Sequence, residues 1–206
     1  MQLTVGHLDD IRPRGMDSIG HPVVFATLNG CATLPKGARL IVDALRQLKA
    51  WGLSGRFRLL VCGGLADSVR NELLDFGNVT YSGWYQVGQL DRMLENVHVG
   101  VIPSIWEEAY GFVGMEFLAK GVPVIGNAMG GIVDYTTEGV TGWINRTNSA
   151  EGLAAIMSRI IHDPQQILTL NRSIVARRGQ LLKSMKDHAA EMHDVYRSIQ
   201  GRGRTQ

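Results

Sequence analysis

Short apolar runs alternate with helical patterns along almost the whole chain, and this alternation constrains the fold more than any other feature. Helical patterns lie between most of the predicted strands. A strand-helix-strand order favours a mostly parallel sheet with helices on both faces. The predicted fold class is therefore α/β, with a doubly wound, Rossmann-like sheet. The predicted strands span residues 23–26, 58–62, 79–81, 97–102, 122–125 and 143–145.

Length and composition agree with one domain of this class, since the chain has 206 residues and an apolar share of 45%. No apolar run reaches the ~20 residues of a membrane helix, and the first residues lack the pattern of a signal peptide. We therefore expect a cytoplasmic protein. Cys31 and Cys62 lack disulfide-framework and metal-ligand spacing, so both are predicted to be free thiols.

The segment 107–116 (E-E-A-Y-G-F-V-G-M-E) carries the most chemistry, because it joins a predicted strand to a helix predicted at 112–120. Gly111 allows a sharp turn there, which leaves the N–H groups of Phe112 and Val113 free at the positive end of the helix dipole. Such a site suits a phosphate. The ionised carboxylates of Glu108 and Glu116 accept hydrogen bonds only, which suits sugar hydroxyls. Two solvated glutamates are the simpler alternative.

This segment resembles the E-x7-E motif of retaining glycosyltransferases of the GT-B fold, in particular family four (glycosyl transferases group 1), with the pattern E-x-F-G-x-x-x-x-E. Tyr110 stands where the family usually has Phe. Residues 11–17 (I-R-P-R-G-M-D) resemble the family's V-x-P-N-G-V-D, and residues 130–144 resemble its G-G-x-x-E-x-x-x-x-G-x-x-G-x-L stretch. The matches follow the family's order and spacing over nearly the whole chain.

The resemblance implies the C-terminal, donor-binding half of such an enzyme, whose donor would be a UDP- or GDP-hexose, with no metal or other cofactor. Glu116 would bind the ribose hydroxyls. Glu108 would bind hydroxyls of the transferred hexose near the reacting carbon, which makes it the candidate catalytic residue. Backbone groups of Gly111, Phe112 and Val113 would complete the sugar and phosphate site.

Two further loops carry candidate binding residues by the same resemblance. Lys36, with Gly37 at a predicted helix start, resembles the pair that holds the donor phosphates; a solvated lysine is the alternative. The arginine common after the family's first strand is replaced by Leu28 and Asn29. Trp84 and Tyr85 lie where the family lines its nucleobase pocket, although they could also be ordinary surface or core aromatics.

The family's first half, which supplies the acceptor site, has no counterpart in these residues. We therefore expect an N-terminal acceptor-binding domain as a partner and no activity of this chain alone. The acceptor implied is a glycan or a lipid-linked molecule in polysaccharide or glycolipid biosynthesis. Residues 165–206 hold eight Lys or Arg against three acids. This excess would allow peripheral contact with the inner face of a membrane, and a solvated helix face is the alternative.

The domain organisation follows from these assignments. We predict an extension or linker at 1–20, the nucleotide-sugar-binding domain at 21–164, helices packing on it at 165–200 and a tail at 201–206. The six histidines have no catalytic spacing and are predicted to be surface or core residues.

Two other functions remain open at this point: a non-catalytic module that binds nucleotide sugars, and a GT-B-like epimerase acting on the nucleotide sugar itself. A Rossmann-type dehydrogenase is disfavoured because no G-x-G-x-x-G follows the first strand. A nucleic-acid partner is disfavoured because the sequence has no basic segment interleaved with aromatic residues.

Overall fold

A computed structural model describes residues 4–202, with side chains through residue 199. The strands of this part are β1 (Val23–Leu28), β2 (Phe57–Cys62), β3 (Val79–Gly83), β4 (Val99–Ile102), β5 (Val124–Asn127) and β6 (Gly142–Asn145). The helices are α1 (Ala38–Ala50), α2 (Asp67–Leu74), α3 (Leu90–Met93), α4 (Phe112–Lys120), α5 (Ile132–Tyr135), α6 (Ala150–His162), α7 (Gln165–Ala176), α8 (Arg178–Leu181) and α9 (Met185–Arg202).

The six strands form one sheet in the order β3-β2-β1-β4-β5-β6, and every pair of neighbours runs parallel. The chain moves outward in one direction from β1 and then in the other from β4, so the strand order reverses between these two. Ligands of such sheets bind beyond the carboxyl ends of the strands at this switch point. The predicted doubly wound α/β fold is confirmed.

Local chemistry shifts some predicted boundaries. The fifth strand begins at Val124 rather than residue 122, because Pro123 has no N–H to donate to a neighbouring strand. The fourth strand begins at Val99 rather than residue 97. Helix α4 matches its prediction because left-handed glycines flank it, with φ of 70° at Gly111 and 86° at Gly121.

Helix α4 is held against the sheet by a ring packed on a glycine. Phe117 is fully buried, and a β-carbon at Gly100 in β4 would lie 2.5 Å from its ring. The missing side chain at Gly100 therefore lets the helix approach the strand closely. This close contact fixes the position of α4 relative to β4, and therefore the position of the helix start at the end of the sheet.

The first segment, predicted to be an extension or linker, packs on the domain over residues 4–20. It contains a 3₁₀ turn, Gly6–Asp10, that contacts α4. Leu8 and Ile11 are buried in the core, and the Arg178 guanidinium donates to the carbonyl oxygens of both, at 3.0 Å each. The domain boundary at residue 20 stays a prediction. Helix α9 extends into the predicted tail as far as Arg202, and the remainder of that tail, 203–206, lies outside the described residues.

A half-buried imidazole, that of His98, makes the stability of the fold sensitive to pH. Nδ1 of His98 accepts the N–H of Val24 at 3.0 Å, and burial, reinforced by Arg14, lowers the pKa of His98 to about 4 from 6.5. The unfolded chain therefore takes up this proton first as the pH falls. The free energy of unfolding should decrease as the pH drops from about 6.5 to about 4.

The variant His98→Asn tests this prediction, because an amide oxygen replaces the acceptor but does not titrate. Urea unfolding of the original chain at roughly pH 7 and pH 5 should give a larger difference than unfolding of the variant. His162→Asn, at a histidine whose contacts are within its own helix, is the control. An equal pH dependence in His98→Asn and the original chain would contradict the prediction.

Candidate functional site

A crevice of about 570 Å³ opens at the switch point, beyond the carboxyl ends of β1 and β4. This volume is in the range of small-molecule sites. All eight candidate site residues line it: Lys36, Trp84, Tyr85, Glu108, Gly111, Phe112, Val113 and Glu116. The structure thus brings together, in one place, residues that are separated by up to 80 positions in the sequence.

The loop after β1 approaches the loop after β4 closely. Gly37, with φ of 100°, lies against Pro103, and a β-carbon there would be 2.2 Å from the Pro103 carbonyl oxygen. Lys36 precedes Gly37, which is the N-cap of α1. The sequence analysis placed Lys36 at the helix start, whereas in the structure Lys36 lies just before the first turn. A lysine there opposes the helix dipole less than one inside the helix would.

The start of α4 points into the crevice. The first-turn N–H groups of Phe112 and Val113 have no carbonyl within the helix to bind, and the Gly111 side has no side-chain cap. Gly114 N–H donates to the Gly111 carbonyl oxygen at 3.0 Å. The helix dipole adds partial positive charge at this end. Free N–H groups at the positive end of a helix are the features that an anion site uses, and anion binding here stays a prediction.

Lys36 and Glu108 form an ion pair in the crevice lining. The Lys36 ammonium donates to Oε1 of Glu108, and the Ser104 hydroxyl donates to the same oxygen at 3.2 Å. The Glu108 side chain is 19% exposed and that of Lys36 is 43% exposed. Among the described residues that line the crevice, Lys36 is the one lysine or arginine. The cation and the carboxylate are thus both within reach of one ligand.

Glu116 lies deeper, on the second turn of α4, with its side chain 10% exposed. Its Oε1 lies 2.8 Å from Nε2 of His7, and its Oε2 is buried without a hydrogen-bond partner among the described residues. Burial raises the pKa of Glu116, and His7 opposes that rise. Sequence reasoning missed His7, because it belongs to no motif and lies 109 positions away.

Two aromatic residues form the wall beyond β3. Trp84 is 79% exposed at the rim, and the half-buried hydroxyl of Tyr85 accepts from Nδ2 of Asn29 at 3.4 Å. Burial, together with the charge of Glu116, raises the pKa of Tyr85. Oδ1 of Asn29 also accepts the N–H of Gly64 at 3.1 Å. Asn29 therefore ties together the loops after β1, β2 and β3.

Two buried amides support the loop after β4. Nδ2 of Asn127, at the end of β5, donates to the carbonyl oxygens of Pro103 and Ser104 at 3.0 and 3.1 Å. Nδ2 of Asn145, at the end of β6, donates to Oδ1 of Asn127 at 2.8 Å. We call this chain of hydrogen bonds, from Asn145 through Asn127 to the loop after β4, the Asn127–Asn145 relay. The asparagines that end β5 and β6 in register are the sequence signal that could have found this contact.

Neither cysteine belongs to the lining of the crevice. Cys31 and Cys62 are both free, as predicted, and both are also buried. Burial raises the pKa of Cys31 to about 12. In the part of the chain that the structure describes, no three His, Cys, Asp or Glu side chains are placed to hold a metal ion. The absence of a metal from the function stays a prediction.

A family comparison identifies the chain. The profile of the family described as "Glycosyl transferases group 1" matches residues 30–177, which is well over half of the sequence. The chain belongs to this family. The group 1 match includes every candidate site residue. The resemblance found in the sequence is thereby confirmed.

Curated relatives of this group 1 chain include glycosyltransferases named for polysaccharide biosynthesis. It is 31% identical over 156 residues to a putative colanic acid biosynthesis glycosyltransferase, WcaL, from Salmonella typhimurium, covering 70% of the chain and 38% of that protein. It is 24% identical over 167 residues to the amylovoran biosynthesis glycosyltransferase AmsK from Erwinia amylovora, covering 77% and 40%. The chain thus spans about two fifths of the length of these relatives.

Solved structures confirm that this group 1 chain has the fold of one half of a GT-B protein. Sucrose-phosphate synthase from Thermosynechococcus elongatus matches with a TM-score of 0.76 at 24% identity, over 94% of this chain and 51% of that one. Anabaena HepE, in complex with UDP and glucose, matches with a TM-score of 0.69 at 17% identity, over 85% and 48%. Within residues 4–202, no helix is both long and apolar enough to span a membrane.

Proposed function

We propose that this chain is the donor-binding half of a retaining GT-B hexosyltransferase, which transfers a hexose from a nucleotide sugar to a glycan or lipid-linked acceptor in polysaccharide or glycolipid biosynthesis. One observation carries the proposal. Lys36, Glu108, Glu116 and the start of α4 line a single crevice at the switch point of the sheet. The lysine and the helix start suit a diphosphate, and the two carboxylates suit the hydroxyls of the two sugars on either side of it.

In this arrangement the diphosphate lies between Lys36 and the N–H groups of Phe112 and Val113. Negative charge develops on the diphosphate as its bond to the hexose breaks, so these donors stabilise the transition state. Glu108 accepts hydroxyls of the hexose and holds the reacting carbon in place. Glu116 accepts the ribose hydroxyls, and Trp84 and Tyr85 contact the base. No metal takes part in this proposal.

The acceptor site belongs to an N-terminal domain in this proposal. The limited share of each relative that the chain covers supports the assignment. A chain that binds donor without any transfer, even when supplied with that domain and an acceptor, would instead be a non-catalytic binding module. Conversion of the nucleotide sugar in the absence of an acceptor would identify an epimerase.

Calorimetric titration with UDP, GDP, ADP and their glucose conjugates tests the donor site directly. We expect saturable binding of one nucleotide class, because the crevice holds groups for base, ribose, diphosphate and hexose. No saturable binding of any of these compounds would contradict the proposal.

Variants at the two carboxylates test the assigned roles. Glu116→Ala should weaken binding of the nucleoside diphosphate about ten-fold, because a charge-assisted hydrogen bond is worth roughly 1.5 to 3 kcal/mol. Glu108→Ala should mainly remove the preference for the hexose conjugate over the free diphosphate. Glu107→Ala, at an adjacent exposed carboxylate outside the crevice lining, is the control. Equal, negligible effects at Glu108 and Glu116 would contradict these roles.

A further inference from the structure

Among the described residues, only one of the two carboxylate oxygens of Glu116 has a hydrogen-bond partner. Oε1 has His7 as its partner, whereas Oε2 is buried with none among the described residues. A buried carboxylate oxygen without a hydrogen bond is costly. Glu116 belongs to the crevice lining. The unsatisfied oxygen is therefore suited to a hydroxyl group that a ligand brings into the crevice.

The turn that carries His7 is held in position by its contacts with the rest of the domain. The 3₁₀ turn Gly6–Asp10 contacts α4, Leu8 is buried, and Arg178 of α8 donates to the Leu8 and Ile11 carbonyl oxygens. The His7 side chain itself is 24% exposed. Because the backbone of His7 is held in place, its imidazole can hold the Glu116 carboxylate in one orientation. Hydrogen-bond partners orient the side chains that bind metal ions in the same way.

We propose that His7 is a positioning residue for ribose recognition: its Nε2–H donates to Oε1 of Glu116 and turns Oε2 toward the vicinal hydroxyls of the nucleotide's ribose. This inference rests on the proposed function, since it concerns the same donor site. An ionised carboxylate has about four acceptor positions, so the bond from His7 leaves enough for both hydroxyls. The donor from His7 also favours the ionised form of Glu116, which is the form that accepts from hydroxyls.

If His7 positions Glu116, replacing His7 should lower the affinity for a nucleotide only when its ribose hydroxyls are present. The probes are whichever of UDP, GDP and ADP binds the original chain, and the 2′,3′-dideoxy form of that nucleotide. His7→Ala should weaken binding of the ribonucleotide about five-fold. This is less than the loss of a whole charge-assisted hydrogen bond, because Glu116 itself is still present. The dideoxy form should bind the original chain and His7→Ala equally. His7→Gln, whose amide can donate to Oε1, should regain most of the ribonucleotide affinity.

Two controls separate positioning from loss of structure. His162→Ala, at an exposed histidine of α6, should bind both nucleotides like the original chain. The imidazole nitrogen signals of His7, followed by NMR in the protein without nucleotide, should shift in Glu116→Gln. This readout does not require His7 to be replaced.

The outcomes distinguish this inference from the proposed function. Unchanged or tighter ribonucleotide binding by His7→Ala would overturn the role of His7, as would an equal loss for the ribonucleotide and the dideoxy form. Unshifted His7 signals in Glu116→Gln would also overturn it. Failure of the original chain to bind any of UDP, GDP and ADP would instead overturn the proposed function, and the inference with it.

Discussion

Replacing Lys36 with alanine should weaken binding of a nucleoside diphosphate about 10- to 100-fold, because a charge-assisted hydrogen bond worth roughly 1.5 to 3 kcal/mol is lost. Lys36 is the one lysine or arginine that lines the crevice within the described chain. Its loss also leaves Glu108 without its ion-pair partner, and the bare carboxylate then repels the phosphates. Calorimetric titration of the original chain and the variant with the same diphosphate measures the effect.

The double variant Lys36→Ala/Glu108→Ala separates these two contributions. Because Glu108 opposes the phosphates only when Lys36 is absent, the double variant should bind the diphosphate more tightly than Lys36→Ala alone. Lys49→Ala is the matched control, since Lys49 lies at the C-terminal end of α1, near the opposite end of the sheet. An effect of Lys36→Ala no larger than that of Lys49→Ala would contradict the assignment of Lys36 to the phosphates.

The largest expected effect on stability is at Phe117. Phe117→Ala should lower the free energy of unfolding by about 3 to 5 kcal/mol, because a fully buried ring leaves a cavity that the surrounding core fills only in part. Its ring packs on Gly100 of β4, so the variant should also loosen the start of α4 and weaken nucleotide binding. Urea unfolding measures the first effect, and titration below the unfolding transition measures the second.

Tyr196→Ala is the control for Phe117→Ala. Tyr196 is an aromatic residue of α9 with 61% of its surface exposed, and exposed positions change stability little. Similar losses of stability in the two variants would contradict the assigned packing of Phe117. Full stability with weakened nucleotide binding in Phe117→Ala would indicate that the ring positions the site without supporting the core.

The sheet, the helix that carries Glu116 and the grouping of the candidate residues could be predicted from the sequence. Apolar runs and glycines at helix ends act locally, so residues 112–120 could be recognised as a helix between Gly111 and Gly121. The parallel order of strands then places the loops after β1 and β4 at one end of the sheet. The crevice could be located in this way, whereas the candidate residues within it were chosen largely through the family resemblance.

The partners within the site could not be predicted in the same way. The contact between His7 and Glu116 depends on how the first segment packs against α4, and no periodic pattern encodes such packing. The replacement of the family's arginine by Leu28 and Asn29 was visible in the sequence, but the two hydrogen bonds that Asn29 makes depend on the positions of β2 and β3. Side-chain hydrogen bonds between distant segments are properties of the assembled fold.

The Asn127–Asn145 relay limits how the site could be transplanted into another protein. Every residue that lines the crevice precedes β5 in the described chain, so a fragment ending there would contain the complete lining. It would lack both amides, however, and the carbonyl groups of Pro103 and Ser104 would lose the donors that hold the loop. The smallest part of the chain that could carry the site is therefore the whole sheet, including β5 and β6, which follow every lining residue.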